Sequence, residues 1–426
     1  MNEEFKVFDK IIGYDDEKKA LLPICDMMRH PDKYAKLGVV MPSGALLQGD
    51  PGYGKTLMAK CFIEACGVKS FVCRKDKADG DFMKYLKQCF DDAEKEAPAI
   101  VFLDDMDKFA NADSDHKNAE EYVAVQSCID NVKGKNVFVI ATTNELHNLP
   151  DSLLRPGRFD INLEMCGLDK ENQIKLIEHY LKGKPYVEIN PEEIWKIVGG
   201  SISCAELESI INDAAMSTTF ENREVVSRED IVFSCLKFKF GGVISNKPIV
   251  GHYKELVAYH EAGHTIVDEL LRPNCVNLVS IKQFKAAGAG VTCTLRDEAN
   301  EKFIGFKKNL IIGALAGKAA TEVVFNEIDP GARSDLEKAR DALASLRDGC
   351  AYLGLSNQLY DWPASETRAK GEEALNRELE KLYLEAKSIV FDNRQFLDAV
   401  AKALLEKETI FIEDIQEIKK SIYGGV

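Results

Sequence analysis

The segment GALLQGDPGYGKTLMAKCFIEACG, Gly44–Gly67, joins an apolar run, a glycine-rich turn and a second apolar stretch with helical spacing. The first run predicts a buried strand, and the residues after Thr56 predict a helix. The turn between them, GDPGYGKT, fits the pattern G-x-x-x-x-G-K-[ST]. Backbone amides of such a turn can curl around a phosphate, and the dipole of the following helix adds to the attraction. The segment therefore predicts a nucleotide-phosphate site in an α/β fold.

Two side chains of this turn have distinct predicted tasks. Lys55 is expected to neutralise the β- and γ-phosphates, and the Thr56 hydroxyl is expected to ligate Mg²⁺. The other candidates for binding the nucleotide are their neighbours Asp50, Pro51, Gly52, Tyr53, Gly54 and Leu57. The alternative is a strand–helix turn that binds nothing.

A second strand-like run, AIVFLDDMD, ends in carboxylates. In α/β folds ligands collect at the carboxyl ends of strands, where we expect Asp104. Asp104 would then lie in the Mg²⁺ shell, and Asp105 would polarise the attacking water. The alternative is an acidic strand end that is merely solvated.

A third run, NVFVIATTN, offers Asn144 as a polar sensor for the same water. The stretch LLRPGRFD follows, in which Pro156 and Gly157 favour a turn. Arg155 and Arg158 on this turn suit the role of arginine fingers that complete the charge clamp on the nucleotide of a neighbouring subunit. Without the preceding motifs, ordinary surface arginines would be the better interpretation.

Composition limits the classes of function. The chain has 426 residues and a net charge of −15, which argues against a general grip on nucleic-acid phosphates or anionic membranes. Twelve scattered cysteines without a C-x-x-C pair or a secretory segment favour free thiols in a reducing compartment. No apolar run approaches the roughly 18–20 residues of a membrane span. A soluble, cytoplasmic protein is expected.

Three zones follow from the patterns along the chain. Residues 1–166 alternate strands and helices, which predicts an α/β core with a parallel sheet. Residues 167–240 lack strand-like runs and predict four short helices, whereas residues 241–426 combine two strands, VNLVSIKQF and GVTCTLRD, with helices. The helix start signals of the middle zone are Asp169, Pro191 and Ser227.

The third zone carries a second chemical motif, VAYHEAGHTIVDEL, Val257–Leu270. On a helix, His260 and His264 lie one turn apart on one face, where they can hold Zn²⁺. Glu261 then lies beside the metal and can take a proton from a bound water. The alternative is a helix whose histidines are ordinary surface or core residues. On chemistry alone, the third ligand stays open among Glu322, Glu327 and Asp335.

Taken together and in this order, the motifs resemble those of the FtsH-type AAA+ zinc proteases over nearly the whole chain. FDKIIGYDDEKKALL is similar to the opening segment of that family, SISCAELESIINDAA to its lid and GARSDLEKA to the segment with its third ligand. The resemblance implies that Ile12 and Gly13 contact adenine and that Asp335 is the third zinc ligand. It also implies a hexameric ring with an α/β P-loop core, a helical lid and a mainly helical protease domain.

The same resemblance implies Zn²⁺, ATP and Mg²⁺ as cofactors and polypeptides as substrates. In that arrangement AGAGVTCTL would be an exposed strand that pairs with the substrate backbone, and the alternative is an internal strand. Members of the family carry N-terminal membrane anchors. This chain is either a soluble relative, or its anchor is removed or lies elsewhere, so that membrane association would need a partner.

Departures from the family pattern concentrate in the ATPase half. They are Asp50 for proline, Tyr53 for threonine, Asp105 for glutamate and Cys204 for a lid glycine. The aromatic–hydrophobic–glycine tripeptide of the pore loop is missing, and Phe82 and Tyr85 are the nearest aromatic residues, which could equally be helix core.

Three functions are therefore compared. The first is an ATP-dependent zinc endopeptidase that degrades unfolded or loosely folded proteins. The second is a zinc peptidase whose ATPase is weak or regulatory and does not translocate folded substrates. The third is a remodelling or scaffold ATPase with a structural zinc, which the open fourth position of the ligand set disfavours.

Overall fold

A computed structural model describes residues 3–75, 79–109, 119–187, 189–198, 202–241, 249–284, 288–295, 297, 299–327, 330–354 and 365–424. The chain forms two compact units, Met1–Lys184 with Gly200–Asp213, and Pro185–Gly199 with Ala214–Val426. The division into three domains after residues 166 and 240 stays a prediction. No helix of the described ranges is both long and apolar enough to cross a bilayer.

The first unit is built on a parallel sheet with the strand order β2-β3-β4-β1-β5. Its strands are β1 (Gly44–Gln48), β2 (Lys69–Cys73), β3 (Ala99–Leu103), β4 (Val137–Thr143) and β5 (Ile161–Glu164). The three strands expected from the sequence, β1, β3 and β4, are the central ones and are almost entirely buried. β2 and β5 lie at the edges and are partly exposed, which explains their weaker apolar signal.

Helices α1 (Asp15–Arg29) and α3 (Lys55–Cys66) pack in the core on one face of this sheet, and α4 (Asp79–Lys95) and α5 (Ala119–Val132) pack in the core on the other. The first unit also contains α2 (Pro31–Ala35) and α6 (Lys170–Leu181). Side chains of β4 alternate between the two faces. Phe138 packs in the same core as Phe62 of α3, whereas Val139 packs with Phe82 of α4 and Val125 of α5.

The start signals of the middle zone are confirmed. The Asp169 carboxylate accepts a hydrogen bond from the Asn172 amide at the start of α6, and Pro191 is the first residue of α7 (Pro191–Val198). Ser227 forms a capping box with Asp230 at the start of α9 (Arg228–Lys239). α8 (Cys204–Phe220) completes the four helices.

The second unit contains an antiparallel sheet with the order β7-β6-β8. Its strands are β6 (Val276–Phe284), β7 (Gly288–Thr294) and β8 (Thr409–Phe411). The helices around it are α10 (His252–Leu271), α11 (Ile304–Phe325), α12 (Arg333–Cys350), α13 (Ser365–Asp392), α14 (Arg394–Lys407) and α15 (Ile412–Tyr423). The sequence did not predict β8, because three residues between two helices show no alternation.

Helix α10, which carries the H-E-x-x-H motif, lies at the centre of the second unit. The apolar residues of the motif suggested one buried face, but every residue from His260 to Glu269 is buried. The reason is that α11, α14, β6 and β7 all pack against it. Gly263 allows α10 to approach α11, since a Cβ there would lie 2.6 Å from the Ala316 carbonyl oxygen.

Candidate functional site

The glycine-rich turn forms a loop between β1 and α3. Gly49, Gly52 and Gly54 have positive φ angles of 142°, 87° and 89°, and α3 begins directly after Gly54. Lys55 is buried, and its Nζ donates to the carbonyl oxygens of Gly49 and Asp50 at 2.6 and 2.7 Å. Burial lowers the pKa of Lys55, although nearby aspartates oppose this effect. The loop thus has the shape and charge that the sequence predicted for a phosphate cradle.

The other predicted loop residues lie around this cradle. Asp50 and Pro51 are exposed, so the carboxylate that replaces the family's proline lies in contact with water. Burial raises the pKa of Tyr53. Leu57, in the first turn of α3, is 45% exposed.

The first turn of α8 contacts the loop backbone. The Ala205 amide donates to the Gly52 carbonyl oxygen at 3.2 Å, directly after Cys204. A Cβ at Gly52 would approach the Ser203 hydroxyl within 2.8 Å. This places Cys204 beside the phosphate loop, as its substitution for a lid glycine suggested.

Ile12 and Gly13, the predicted adenine contacts, precede α1. Gly13 has φ +73° and is buried, and a Cβ there would lie 2.6 Å from Leu168 Cδ2. Ile12 is partly exposed, and the neighbouring Tyr14 hydroxyl donates to the Cys166 carbonyl oxygen at 2.9 Å. The chain is therefore tightly packed here, and the adenine contact itself stays a prediction.

Asp104 lies where the sequence predicted, at the carboxyl end of β3. Its Oδ1 accepts from the hydroxyls of Thr56 and Thr142, each at 3.1 Å. Arg74 forms an ion pair with Asp104 Oδ2 at 3.0 Å. The sequence analysis missed Thr142 and Arg74. Thr142 belongs to the ATTN segment of the neighbouring strand, so its position beside Asp104 could have been found from the parallel pairing of β3 and β4.

Asp105, the predicted hydrolytic acid, has a left-handed backbone with φ 55°. Its amide donates to the Thr142 hydroxyl at 2.9 Å, and its carboxylate pairs with Lys108 at 2.6 Å. Asn144 follows β4, and its amide lies 3.3 Å from Asp107 Oδ1. Asp104, Asp105 and Asn144 therefore all follow the carboxyl ends of β3 and β4, which are parallel neighbours in the sheet.

The two predicted arginine fingers differ in their surroundings. Arg158 donates from Nε and Nη2 to the Asp130 carboxylate at 3.0 and 2.8 Å. Arg155 is exposed, and its side chain makes no hydrogen bond or ion pair with any residue in the described ranges; its carbonyl oxygen accepts from the Arg158 amide at 3.2 Å. Arg158 is thus held by an ion pair within this chain, whereas the Arg155 guanidinium is exposed, and the finger role of either residue stays a prediction.

The predicted metal ligands meet in the second unit. The Nε2 atoms of His260 and His264 lie 3.0 Å apart, and Asp335 Oδ2 lies 3.3 and 3.4 Å from them. The three ligand atoms fall within 4.8 Å of one another. Burial opposes ionisation of Asp335, but both histidines outweigh it and hold the pKa of that carboxyl well below its usual range.

Neighbouring backbone fits a metal ion at this point. His264 Nδ1 lies 2.7 Å from the Gly313 carbonyl oxygen, a contact that leaves Nε2 as the ligand atom. A Cβ at Gly317 would lie 2.5 Å from both histidine Nε2 atoms, so glycine keeps this space open. Two imidazoles and one carboxylate with a free fourth position are a donor set typical of catalytic Zn²⁺.

The two other carboxylates that the sequence left open have other partners. Glu322 binds Lys318, Tyr383 and Lys387. Glu327 binds His252 at 3.1 Å. Among the described residues, His260, His264 and Asp335 are the group that could share a metal ion.

Glu261 is buried, and β7 holds its carboxylate. The Thr292 hydroxyl donates to Glu261 Oε2 at 2.7 Å. Gly290 has φ +82°, and a Cβ there would lie 2.5 Å from Glu261 Oε1. Burial raises the pKa of Glu261, and His260, His264 and Thr292 oppose that rise. The sequence analysis missed Thr292 and Gly290, because only the fold brings β7 to α10.

A cavity of about 510 Å³ adjoins the metal centre. Strand β7 lines it with residues 289–292 and Thr294, and β7 is an edge strand of its sheet. Its unpaired backbone edge is what the predicted pairing with a substrate requires. Ala287, the first residue of the predicted AGAGVTCTL strand, lies outside the described residues.

The segment in which the family's pore tripeptide is missing is only partly described, because residues 76–78 lie outside the described ranges. Phe82 is fully buried and stacks near Phe109 with ring centres 4.9 Å apart. The Tyr85 hydroxyl donates to the Val72 carbonyl oxygen at 2.7 Å. For Phe82 the structure favours a place in the core over a role in a pore.

Comparison with known proteins agrees with both sites. Residues 45–166 match the ATPase family associated with various cellular activities (AAA), and residues 248–369 match peptidase family M41. An "ATP-dependent zinc metalloprotease FtsH 2" of Thermoanaerobacter sp. is 28% identical over 96% of this chain and 82% of its own length. FtsH proteins of Clostridium perfringens and Aster yellows witches'-broom phytoplasma are 30% and 31% identical, and the chain covers 62% and 64% of their lengths.

Proposed function

Because the chain belongs to the FtsH-type AAA+ zinc metalloproteases, we propose that it is an ATP-dependent zinc endopeptidase that degrades unfolded or loosely folded polypeptides. The observation that carries the proposal is the convergence of His260, His264 and Asp335 beside the buried carboxylate of Glu261. Zn²⁺, ATP and Mg²⁺ are the cofactors that membership implies.

The peptidase step depends on groups that α10 and β7 hold in place. A Zn²⁺ ion on His260, His264 and Asp335 would supply Lewis acidity to a water and to the scissile carbonyl. Glu261 takes the proton from the attacking water and delivers it to the leaving nitrogen. Thr292 keeps the Glu261 carboxylate oriented, and the open edge of β7 aligns the substrate backbone.

The ATPase step divides between the loop and the sheet edge. Lys55 would neutralise the phosphates of a bound nucleotide, and Thr56 with Asp104 would hold Mg²⁺. Asp105 and Asn144 orient the attacking water, and Arg155 completes the site of the next subunit in a hexameric ring. The guanidinium of Arg155 is exposed and has no ion pair with any residue that the structure describes, which supports an assembly in which subunits share sites.

A second function deserves a test because Asp105 pairs with Lys108 instead of pointing free into the site. The protein would then be a zinc peptidase whose ATPase is weak or regulatory. We place the protein in a reducing compartment of the cell, the cytoplasm, because all twelve cysteines are free.

Degradation of a permanently unfolded protein, with and without ATP, distinguishes the two functions. The zinc-loaded wild type should degrade it only with ATP, and the Glu261→Gln variant should not degrade it at all. Cleavage that needs Glu261 but not ATP would favour the second function. Cleavage by the Glu261→Gln variant would contradict both.

A further inference from the structure

The cavity at the metal centre extends along α10 to a buried ion pair. Asp268 lies one helical turn after His264, and Arg272 one turn after Asp268. Arg272 Nη2 donates to Asp268 Oδ1 at 2.5 Å, and both residues line the cavity. Asp268 is 7% exposed and Arg272 is 9% exposed. Neither residue has a part in the peptidase step described above.

This ion pair is fixed to the metal centre through Gly313. The Gly313 carbonyl oxygen lies 2.7 Å from His264 Nδ1, and a Cβ at Gly313 would collide with Asp268 Oδ1. Gly313 therefore lies against both Asp268 of the ion pair and His264, a predicted zinc ligand. The metal ligands and the ion pair line the same cavity.

Arg272 keeps hydrogen-bond donors that the protein does not use. Its Nε has no hydrogen-bond partner among the residues that the structure describes but is screened from the cavity, whereas Nη1 makes no hydrogen bond to them and is not fully buried. Nη1 is therefore the donor that a ligand can reach, and an acceptor placed there would form a hydrogen bond to a charged group. Asp268 already neutralises the guanidinium charge, so the most suitable acceptor is uncharged.

The walls between the metal centre and this ion pair include apolar side chains. Leu310 and Ala314 of α11 and Val291 of β7 line the cavity. A side chain that fits has an apolar stem and an acceptor at its end. Glutamine meets both conditions. Glutamate would bring a second carboxylate next to Asp268, and methionine would leave Arg272 without an acceptor.

We propose that Asp268 and Arg272 form a specificity pocket that selects substrates with glutamine beside the scissile bond. The inference rests on the proposed peptidase function, because the pocket is defined by its position at the metal centre. It adds a substrate preference that neither the metal ligands nor Glu261 would produce.

The test uses one peptide sequence with Gln, Glu or Met at each position flanking the scissile bond. The wild type should cleave the Gln peptide with a kcat/KM about ten- to a hundredfold above the Met and Glu peptides, the usual effect of a hydrogen bond to a charged group. Equal rates for Gln and Met at every flanking position would overturn the proposal.

Two variants assign the preference to the pair. Asp268→Leu with Arg272→Met replaces the pair by apolar groups of similar size, and Arg272→Lys keeps the charge but removes Nε and the planar fork. Both should reduce the ratio of Gln to Met cleavage at least about tenfold. The matched control, Glu373→Leu with Arg377→Met, changes an exposed pair on α13 and should leave the ratio unchanged.

Binding separates this inference from the proposed function. Fluorescence anisotropy with labelled peptides and the Glu261→Gln variant measures the same preference without cleavage. Tighter binding of the Gln peptide, lost with Arg272→Lys, would support the pocket even if no peptide were cleaved by the wild type. Equal binding of the Gln and Met peptides would refute the pocket while leaving the peptidase function intact.

Discussion

The metal centre and the predicted nucleotide site differ in how many of their functional groups this one chain holds in place. At the metal centre, buried or half-buried residues of α10, α12 and β7 would supply the ligands, the general base and the group that orients it, and a carbonyl oxygen of α11 contacts one ligand. At the predicted nucleotide site, Asp105 is paired with Lys108, and the exposed side chain of Arg155 has no ion pair with any described residue. The comparison supports the proposal that one chain can organise the peptidase site, whereas the proposed ATPase site would be completed by a neighbouring chain.

Packing explains the difference. The histidines lie on a helix that is surrounded on all sides, so their geometry is fixed by the core of the second unit. The predicted ATPase groups lie on turns after the carboxyl ends of the parallel strands, where side chains have fewer neighbours. Mutations should therefore affect the first site through metal binding and the second through assembly and turnover.

The largest effect is expected at the third metal ligand. Asp335→Asn should weaken Zn²⁺ binding more than about a hundredfold, because first ligands matter at least as much as their hydrogen-bonded supports. Zinc content after dialysis against a chelator of known affinity measures this change. Glu327→Gln is the matched control, since Glu327 is an exposed carboxylate bound to His252. Equal zinc content in both variants would remove Asp335 from the ligand set.

The next effect separates the two arginines. Arg155→Ala should lower ATP turnover of the assembled protein about a thousandfold, the lower range for a lost arginine finger, and leave the thermal unfolding midpoint unchanged. Arg158→Ala should instead lower that midpoint, because Asp130 loses its partner. ATP turnover and thermal unfolding of both variants are measured side by side. Reversed results would make Arg158 the finger.

The sequence predicted the sites better than it predicted their supports. The positions of His260, His264, Lys55 and Asp104 could be predicted because spacing along one helix or one strand–turn–helix unit fixes their geometry, and their roles stay predictions. Thr292 and Arg74 were missed because their roles depend on contacts between segments distant in sequence. The choice of Asp335 over Glu322 also came from the resemblance and not from spacing.

The same reasoning applies to the fold. The central strands of the parallel sheet were predicted from continuous apolar runs, but the edge strands β2 and β5 and the short β8 were not. β8 exists because β6 offers it a partner, with Leu278 opposite Phe411. The sequence pattern of a short segment does not indicate such pairing, because the pairing depends on a strand that is distant in the chain.

A smaller effect is expected at Thr292. Thr292→Val removes the hydroxyl that donates to Glu261, so the general base loses its orientation and kcat for peptide cleavage should fall about tenfold. KM should change little, because the hydroxyl does not contact the substrate in this scheme. Thr292→Ser restores the donor and should recover most of kcat. A Ser variant as slow as the Val variant would argue that the methyl group matters through packing instead.

The smallest effect concerns stability in acid. Hydrogen bonds from Lys387 and Tyr383, with Lys318 adding to them, lower the pKa of Glu322 from 4.5 to about 2 in the folded state. A carboxyl whose folded pKa is depressed stabilises the fold fully above its unfolded pKa, and this contribution is lost as the pH falls from about 4.5 towards 2.

Glu322→Gln should therefore reduce the free energy of unfolding at pH 7 by about 1–3 kcal/mol, as expected when charged hydrogen bonds are removed. The difference from the wild type should shrink between pH 4.5 and pH 3, because the Glu322 carboxyl of the unfolded wild-type chain takes up a proton there whereas that of the folded chain, with a pKa of about 2, stays largely ionised. Urea unfolding at pH 7, 4.5 and 3 measures it. Glu337→Gln, which alters an exposed ion pair with Arg333, is the control and should show no such pH dependence. A difference that stays constant down to pH 3 would show that Glu322 stabilises the second unit through its shape and not through its charge.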